Sequence, residues 1–175
     1  YFAYDNPAAL HDQLRDHFNH LSTKEYEYKF NLLYTAYSIP NVILPFFGGI
    51  FVDRYGAELC CLIFICFTLG GQLLVAYGVA SKSFSFMIFG RIMFGFGGES
   101  ICVASSALLQ KWFEFGEVAL AMGMCLSISR IGSVTNNIAS PWLANNFHSL
   151  NVPFFFSVGL IFLGLLSSVV VIYIG

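Results

Sequence analysis

The chain has 175 residues, of which 57% are hydrophobic, 18% aromatic and 10% charged, with a formal net charge of -2. So apolar a composition excludes a soluble globular domain and marks an integral, all-α membrane protein. The small net charge, without a basic patch or an RNA-binding signature, gives no reason to expect nucleic acid as a partner.

Tyr1 to Tyr4 reads as the last turn of a helix whose body lies upstream, so the sequence is taken as a piece of a longer one. Asp5-Asn6-Pro7 is expected to break that helix and open a polar segment over 5–27, rich in Asp, Glu, Lys and Arg. This segment is expected to be an aqueous loop with room for a short helix. Its histidines, His11, His17 and His20, are irregularly spaced and are expected to be solvent-exposed.

Residues 28–52 form the first complete span, long enough for a bilayer that needs about 20 apolar residues. Tyr34, Tyr37, Ser38 and Asn41 fall on one helical face, the spacing of a helix that lines a cavity or hydrogen-bonds to a neighbour. Pro40 and Pro45 are expected to kink it. Gly49-Ile50-Phe51-Val52-Asp53-Arg54-Tyr55-Gly56 is a short charged turn, and the next span begins at once, over 58–80, which forces an antiparallel pair. That second span has only Thr68 and Gln72 as clearly polar members and is expected to face lipid over most of its surface.

The following span, 84–110, contains Arg91 and Glu99 separated by glycines that let another backbone approach closely. Its glycine pattern is not a phosphate loop, because no strand precedes it and it lies inside apolar sequence. Lys111 to Glu117 is an interfacial turn with Trp112 as anchor, and the span 118–143 carries Ser127, Arg130, Ser133 and Asn137 as a polar stripe. After a loop containing His148, Pro153 opens an uncharged last span over 153–175. Cys60, Cys61, Cys66, Cys102 and Cys125 lie in or beside apolar spans, where a thiol acts as a small hydrophobe. Neither a disulfide framework nor a metal or cofactor site is expected. The sequence contains no Asn-X-Ser/Thr glycosylation acceptor.

An ionisable group at mid-membrane costs about 2.5–3.5 kcal/mol on insertion scales, so Arg91, Glu99 and Arg130 call for a role. Counting from the Lys111 turn at 1.5 Å per residue puts Glu99 and Arg130 at nearly equal height, roughly 18–20 Å up their helices. At one level, a carboxylate and a guanidinium can grip the two ends of a small zwitterion. They can also simply neutralise one another. Arg91, about 12 Å further along and some 80° round its helix from Glu99, reads as a structural or gating group.

The Gly-X-X-X-Asp-Arg-X-Gly turn resembles the signature loop of the major facilitator superfamily. That resemblance implies most of the N-terminal six-helix half of a transporter, with the C-terminal half as its partner and Asp53 and Arg54 as a conformational latch on the cytosolic side. Ala57-Glu58 departs from the family's basic residues here, which implies a weaker latch. The loop charges themselves do not support this orientation, since Arg54 and Lys111 do not outnumber Arg15, Lys24, Lys29 and Lys82 on the other side.

Tyr1 to Leu10, Tyr37-Ser38-Ile39-Pro40-Asn41, Phe89-Gly90-Arg91, Gly97-Gly98-Glu99-Ser100 and Ser129-Arg130-Ile131-Gly132-Ser133 resemble one branch of that family, the lysosomal dipeptide transporters. The resemblance implies that Glu99 holds a peptide ammonium and Arg130 its carboxylate. It also implies facilitated diffusion without a cofactor, a lysosomal membrane, and a glycosylated accessory membrane protein as partner. Two other classes stay open: a non-transporting scaffold on the same fold, and a proton-coupled organic anion symporter with Glu99 as proton carrier.

Overall fold

A computed structural model of the chain describes residues 1–19, 21–114 and 116–174, which form seven α-helices and no strand. They are α1 (Phe2–Ala9), α2 (His11–His17), α3 (Thr23–Tyr55), α4 (Ala57–Ala80), α5 (Phe84–Trp112), α6 (Val118–Asn146) and α7 (Asn151–Ile174). The last five are long and apolar enough to cross a membrane. Even α4, with 24 residues, reaches about 36 Å, more than the roughly 30 Å of a hydrocarbon core.

Short connections enforce the up-and-down order. Gly56 alone joins α3 to α4, and its φ of +90° is a conformation that side-chain-bearing residues rarely adopt. Glu58, at the start of α4, pairs with Lys111 at the end of α5, so the acid that departs from the signature loop finds its cation one hairpin away.

α5 is the hub, packing on α3 and α4; α4 also packs on α7, and α1 on α6 and α7. Glycine makes the α4–α5 contact close: a Cβ on Gly90 would stand 2.7 Å from the carbonyl oxygen of Gly71 and 2.8 Å from the amide nitrogen of Val75. With bilayer lipid as apolar as the side chains, such backbone approach supplies van der Waals contact where hydrophobic burial cannot.

Two expectations are corrected. The segment 5–27 is not a solvated loop: α1 runs through Asp5-Asn6-Pro7, α2 follows, and α3 begins at Thr23 under a Ser22 cap whose hydroxyl accepts from the Glu25 amide. Leu10, Leu14 and Phe18 recur every four residues and bury with Tyr26, Leu33, Val79 and Phe84 in the largest apolar cluster. The charges of α2 occupy its other face. Its histidines are half-buried rather than solvent-exposed: the His17 ring meets the Val79 carbonyl oxygen at 3.1 Å, and the His11 ring stands edge-on to Phe30. His20 lies outside the described residues, as does Phe115 in the 111–117 turn.

The second correction concerns α4, which of the five spans is the most enclosed within the chain. Its apolar surface meets α5 on one side and α7 on another. Gln72 is fully buried, donating to Ser157 Oγ at 2.7 Å, and Asn6 of α1 donates to the same hydroxyl at 3.1 Å and to the Pro153 carbonyl at 3.0 Å. Three uncharged polar side chains thereby tie α1, α4 and α7.

Gly90→Val in the complete protein is expected to cost about 1–3 kcal/mol by overpacking against backbone that cannot yield. Gly159→Ala, whose added methyl meets nothing within 4 Å, is expected to be neutral. Thermal unfolding in detergent measures both.

Candidate functional site

A cavity of about 290 Å³ lies between α1, α3, α4, α5 and α6. Tyr1, Tyr4, Tyr37 and Phe94 give it an aromatic wall, and Glu99, Cys102 and Arg130 give it polar and charged groups. Glu99 is half-buried and Arg130 exposed on the surface of this chain. No ion pair joins the two among the described residues. Both side chains line the same cavity.

Local sequence explains how the carboxylate is held. The Tyr37 hydroxyl donates to Glu99 Oε1 at 3.3 Å, which carries α3 across to α5. Gly95 and Gly98 make room for this approach: a Cβ on Gly98 would lie 2.8 Å from the Tyr37 oxygen, and one on Gly95 would lie 2.8 Å from the Tyr37 carbonyl oxygen. The glycines beside Glu99 are thus the condition for its hydrogen bond. On the opposite wall the Arg130 guanidinium sits 5.1 Å from the centre of the Tyr1 ring, in cation–π contact.

A second cavity, of about 450 Å³, shares Glu99 and Cys102 with the first and runs between α3 and α5 past Ser106 and Gln110 to Asp53. Glu99 lines both spaces, and the second reaches Asp53 in the signature turn. Asp53 and Arg54 are both exposed and enter no ion pair among the described residues; the Arg54 guanidinium lies 5.7 Å from the Tyr55 ring centre.

Of the residues read as cavity lining, Tyr37 is on the wall. Tyr34 turns instead to Arg91, and Ser38 donates to the Tyr34 carbonyl oxygen. Asn41 and Ser133 are half-buried and Asn137 is exposed, all three outside the lining of the central cavity. On α6 the inward polar pair is Asn136 and Ser140, whose hydroxyl lies 2.6 Å from Asn136 Oδ1. The buried polar residues of α6 therefore lie one position before and three positions after Asn137 of the expected stripe. Tyr4 and Cys102 were missed as site residues; Tyr4 was legible as an aromatic neighbour of a charged span, whereas nothing in the sequence set Cys102 apart.

Arg91 is fully buried. Its Nη2 donates to the Tyr4 carbonyl at 2.9 Å, and its guanidinium carbon lies 5.6–5.7 Å from the centres of the Tyr4, Tyr34 and Phe94 rings.

Five apolar spans, with a cavity between α1 and four of them that is lined by opposite charges, define a multi-pass helical membrane protein. The sequence model of the Major Facilitator Superfamily matches residues 9–175, and the chain belongs to that family. Among its relatives is the human lysosomal dipeptide transporter MFSD1, 43% identical over 151 residues that cover 86% of this chain and 31% of the human protein. The zebrafish protein of the same name is 42% identical over 144 residues, covering 82% of this chain and 30% of its own length. A hexuronate transporter of Bacillus subtilis (strain 168) is 28% identical over 103 residues, covering 58% and 23% respectively. The chain spans about a third of the length of the curated MFSD1 relatives it matches.

Cys102 lines both cavities and is a free thiol. In a complete protein that retains it as sole cysteine, a water-soluble methanethiosulfonate is expected to label it.

Proposed function

We propose that the complete protein carries small zwitterions, dipeptides foremost, across the lysosomal membrane by alternating access. Glu99 holds the ammonium of the solute and Arg130 its carboxylate. The observation that carries this reading is the pair of opposite charges on one cavity, unjoined to each other, with Tyr37 orienting the carboxylate. A hydrogen bond to a charged group contributes about 1.5–3 kcal/mol, and a planar guanidinium suits a carboxylate. The aromatic wall adds cation–π attraction for the ammonium. The MFSD1 relatives, named as lysosomal dipeptide transporters, support the substrate class and the membrane.

Transport in this reading is facilitated diffusion. Glu99 serves to bind the solute and moves no proton across the membrane. The apolar faces of α3 and α6, with Val42, Phe46, Ile128 and Ile138 widely exposed on this chain, meet the second half of the transporter. Asp53 and Arg54 latch the halves at the end to which the second cavity leads. A glycosylated accessory membrane protein is a further partner, in keeping with a chain that carries no acceptor of its own.

Proteoliposomes containing the complete protein test this. Glu99→Gln and Arg130→Ala are each expected to weaken dipeptide binding roughly 10- to 100-fold. N-acetylation of the peptide is expected to reproduce the first loss and C-amidation the second. Collapse of the proton gradient with a protonophore is expected to leave peptide exchange unchanged. Uptake that stops with the gradient would instead favour proton-coupled symport.

A further inference from the structure

We propose that Arg91 is a positioning residue for Glu99, acting through Tyr4 and Tyr37. This rests on the reading of Glu99 as the ammonium ligand. Arg91 is fully buried, yet no carboxylate pairs with it among the described residues, and its Nε and Nη1 have no acceptor there. An arginine is not neutralised in a protein, so this charge is offset by what surrounds it.

Two kinds of contact do so. Three rings, Tyr4, Tyr34 and Phe94, flank the guanidinium at cation–π distance, and Nη2 donates 2.9 Å to the Tyr4 carbonyl. Tyr4 supplies both a ring and the one directed acceptor, so the buried charge fixes where α1 lies. The Tyr4 ring in turn packs on the Tyr37 ring with centroids 4.7 Å apart, and the Tyr37 hydroxyl donates to Glu99 Oε1.

The chain from Arg91 to Glu99 therefore leaves α5, passes through α1 and α3, and returns to α5 eight positions along. Each link is directional: a carbonyl that must point at the guanidinium, a ring wedged against a ring, and a hydroxyl aimed at one carboxylate oxygen. Gly95 and Gly98 admit Tyr37 to α5, where its ring meets Phe94 at 5.9 Å between centroids, and Tyr4, nearer at 4.7 Å, closes the seat from α1. Removing the guanidinium releases Tyr4, lets the Tyr37 ring turn, and leaves Glu99 charged but unoriented.

The test measures inhibition constants of alanyl-alanine and its N-acetylated form against dipeptide exchange by the complete protein in proteoliposomes. Their ratio reports how well Glu99 recognises an ammonium, independently of how much protein is active. Arg91→Met is expected to reduce the wild-type ratio roughly five- to tenfold, and Tyr4→Leu, which keeps the backbone carbonyl but removes the ring, to do the same. Arg91→Lys, which keeps a charge and a donor, is expected to restore most of it. An unchanged ratio in Arg91→Met would overturn the relay, as would an unchanged ratio in Tyr4→Leu, which also decides the matter should Arg91→Met fail to reach the membrane. A wild-type protein that does not distinguish the two peptides would overturn the role of Glu99, and the relay with it.

Discussion

Charge placed inside an apolar bundle governs this structure. Each ionised group at membrane depth must be matched by a partner, a ring, or water in a cavity, and the buried Arg91, half-buried Glu99 and exposed Arg130 use these means differently. Arg91 is dry and held by rings and a carbonyl. Glu99 lines the cavity and is tied by a phenol, whereas Arg130 lines the same cavity beside an aromatic ring. The close helix contacts around them, built on Gly90, Gly95 and Gly98, are what put these partners within reach.

Uncharged polar groups carry the rest of the architecture. The Asn6, Gln72 and Ser157 cluster binds three helices without a net charge, so it stabilises the bundle without competing for the solute. It lies apart from the central cavity, and its donors are spent on protein acceptors. Hydrogen bonds of this kind stabilise membrane bundles by modest amounts, about 0.6 kcal/mol on average, and their geometry fixes which faces meet. The bundle thus separates polar residues that hold helices together from polar residues that are left free to bind.

The spans were legible in the sequence by their length and apolarity, and the charges within them because charge is rare there. Arg91, Glu99 and Arg130 stand out against apolar neighbours, and Tyr37 was found by its place on one helical face. The burial of α4 was not legible: a helix apolar all round looks alike whether lipid or protein surrounds it, and single residues such as Gln72 leave no periodic trace. α2 was misread for a different reason. Its charges suggest a solvated loop, although Leu10, Leu14 and Phe18 already carry a helical period, and Pro7, which reads as a breaker, stands inside α1. Tertiary ties, here the Asn6 bonds to α7, decided the matter.

The most direct measurement is a structure of the complete protein with a dipeptide bound, at a resolution that orients the peptide. The charges on the cavity predict the amino end within hydrogen-bonding distance of Glu99, the Tyr37 hydroxyl still on that carboxylate, and the carboxyl end on the Arg130 guanidinium. A peptide lying in the reverse sense, or bound at a place remote from both side chains, would contradict it.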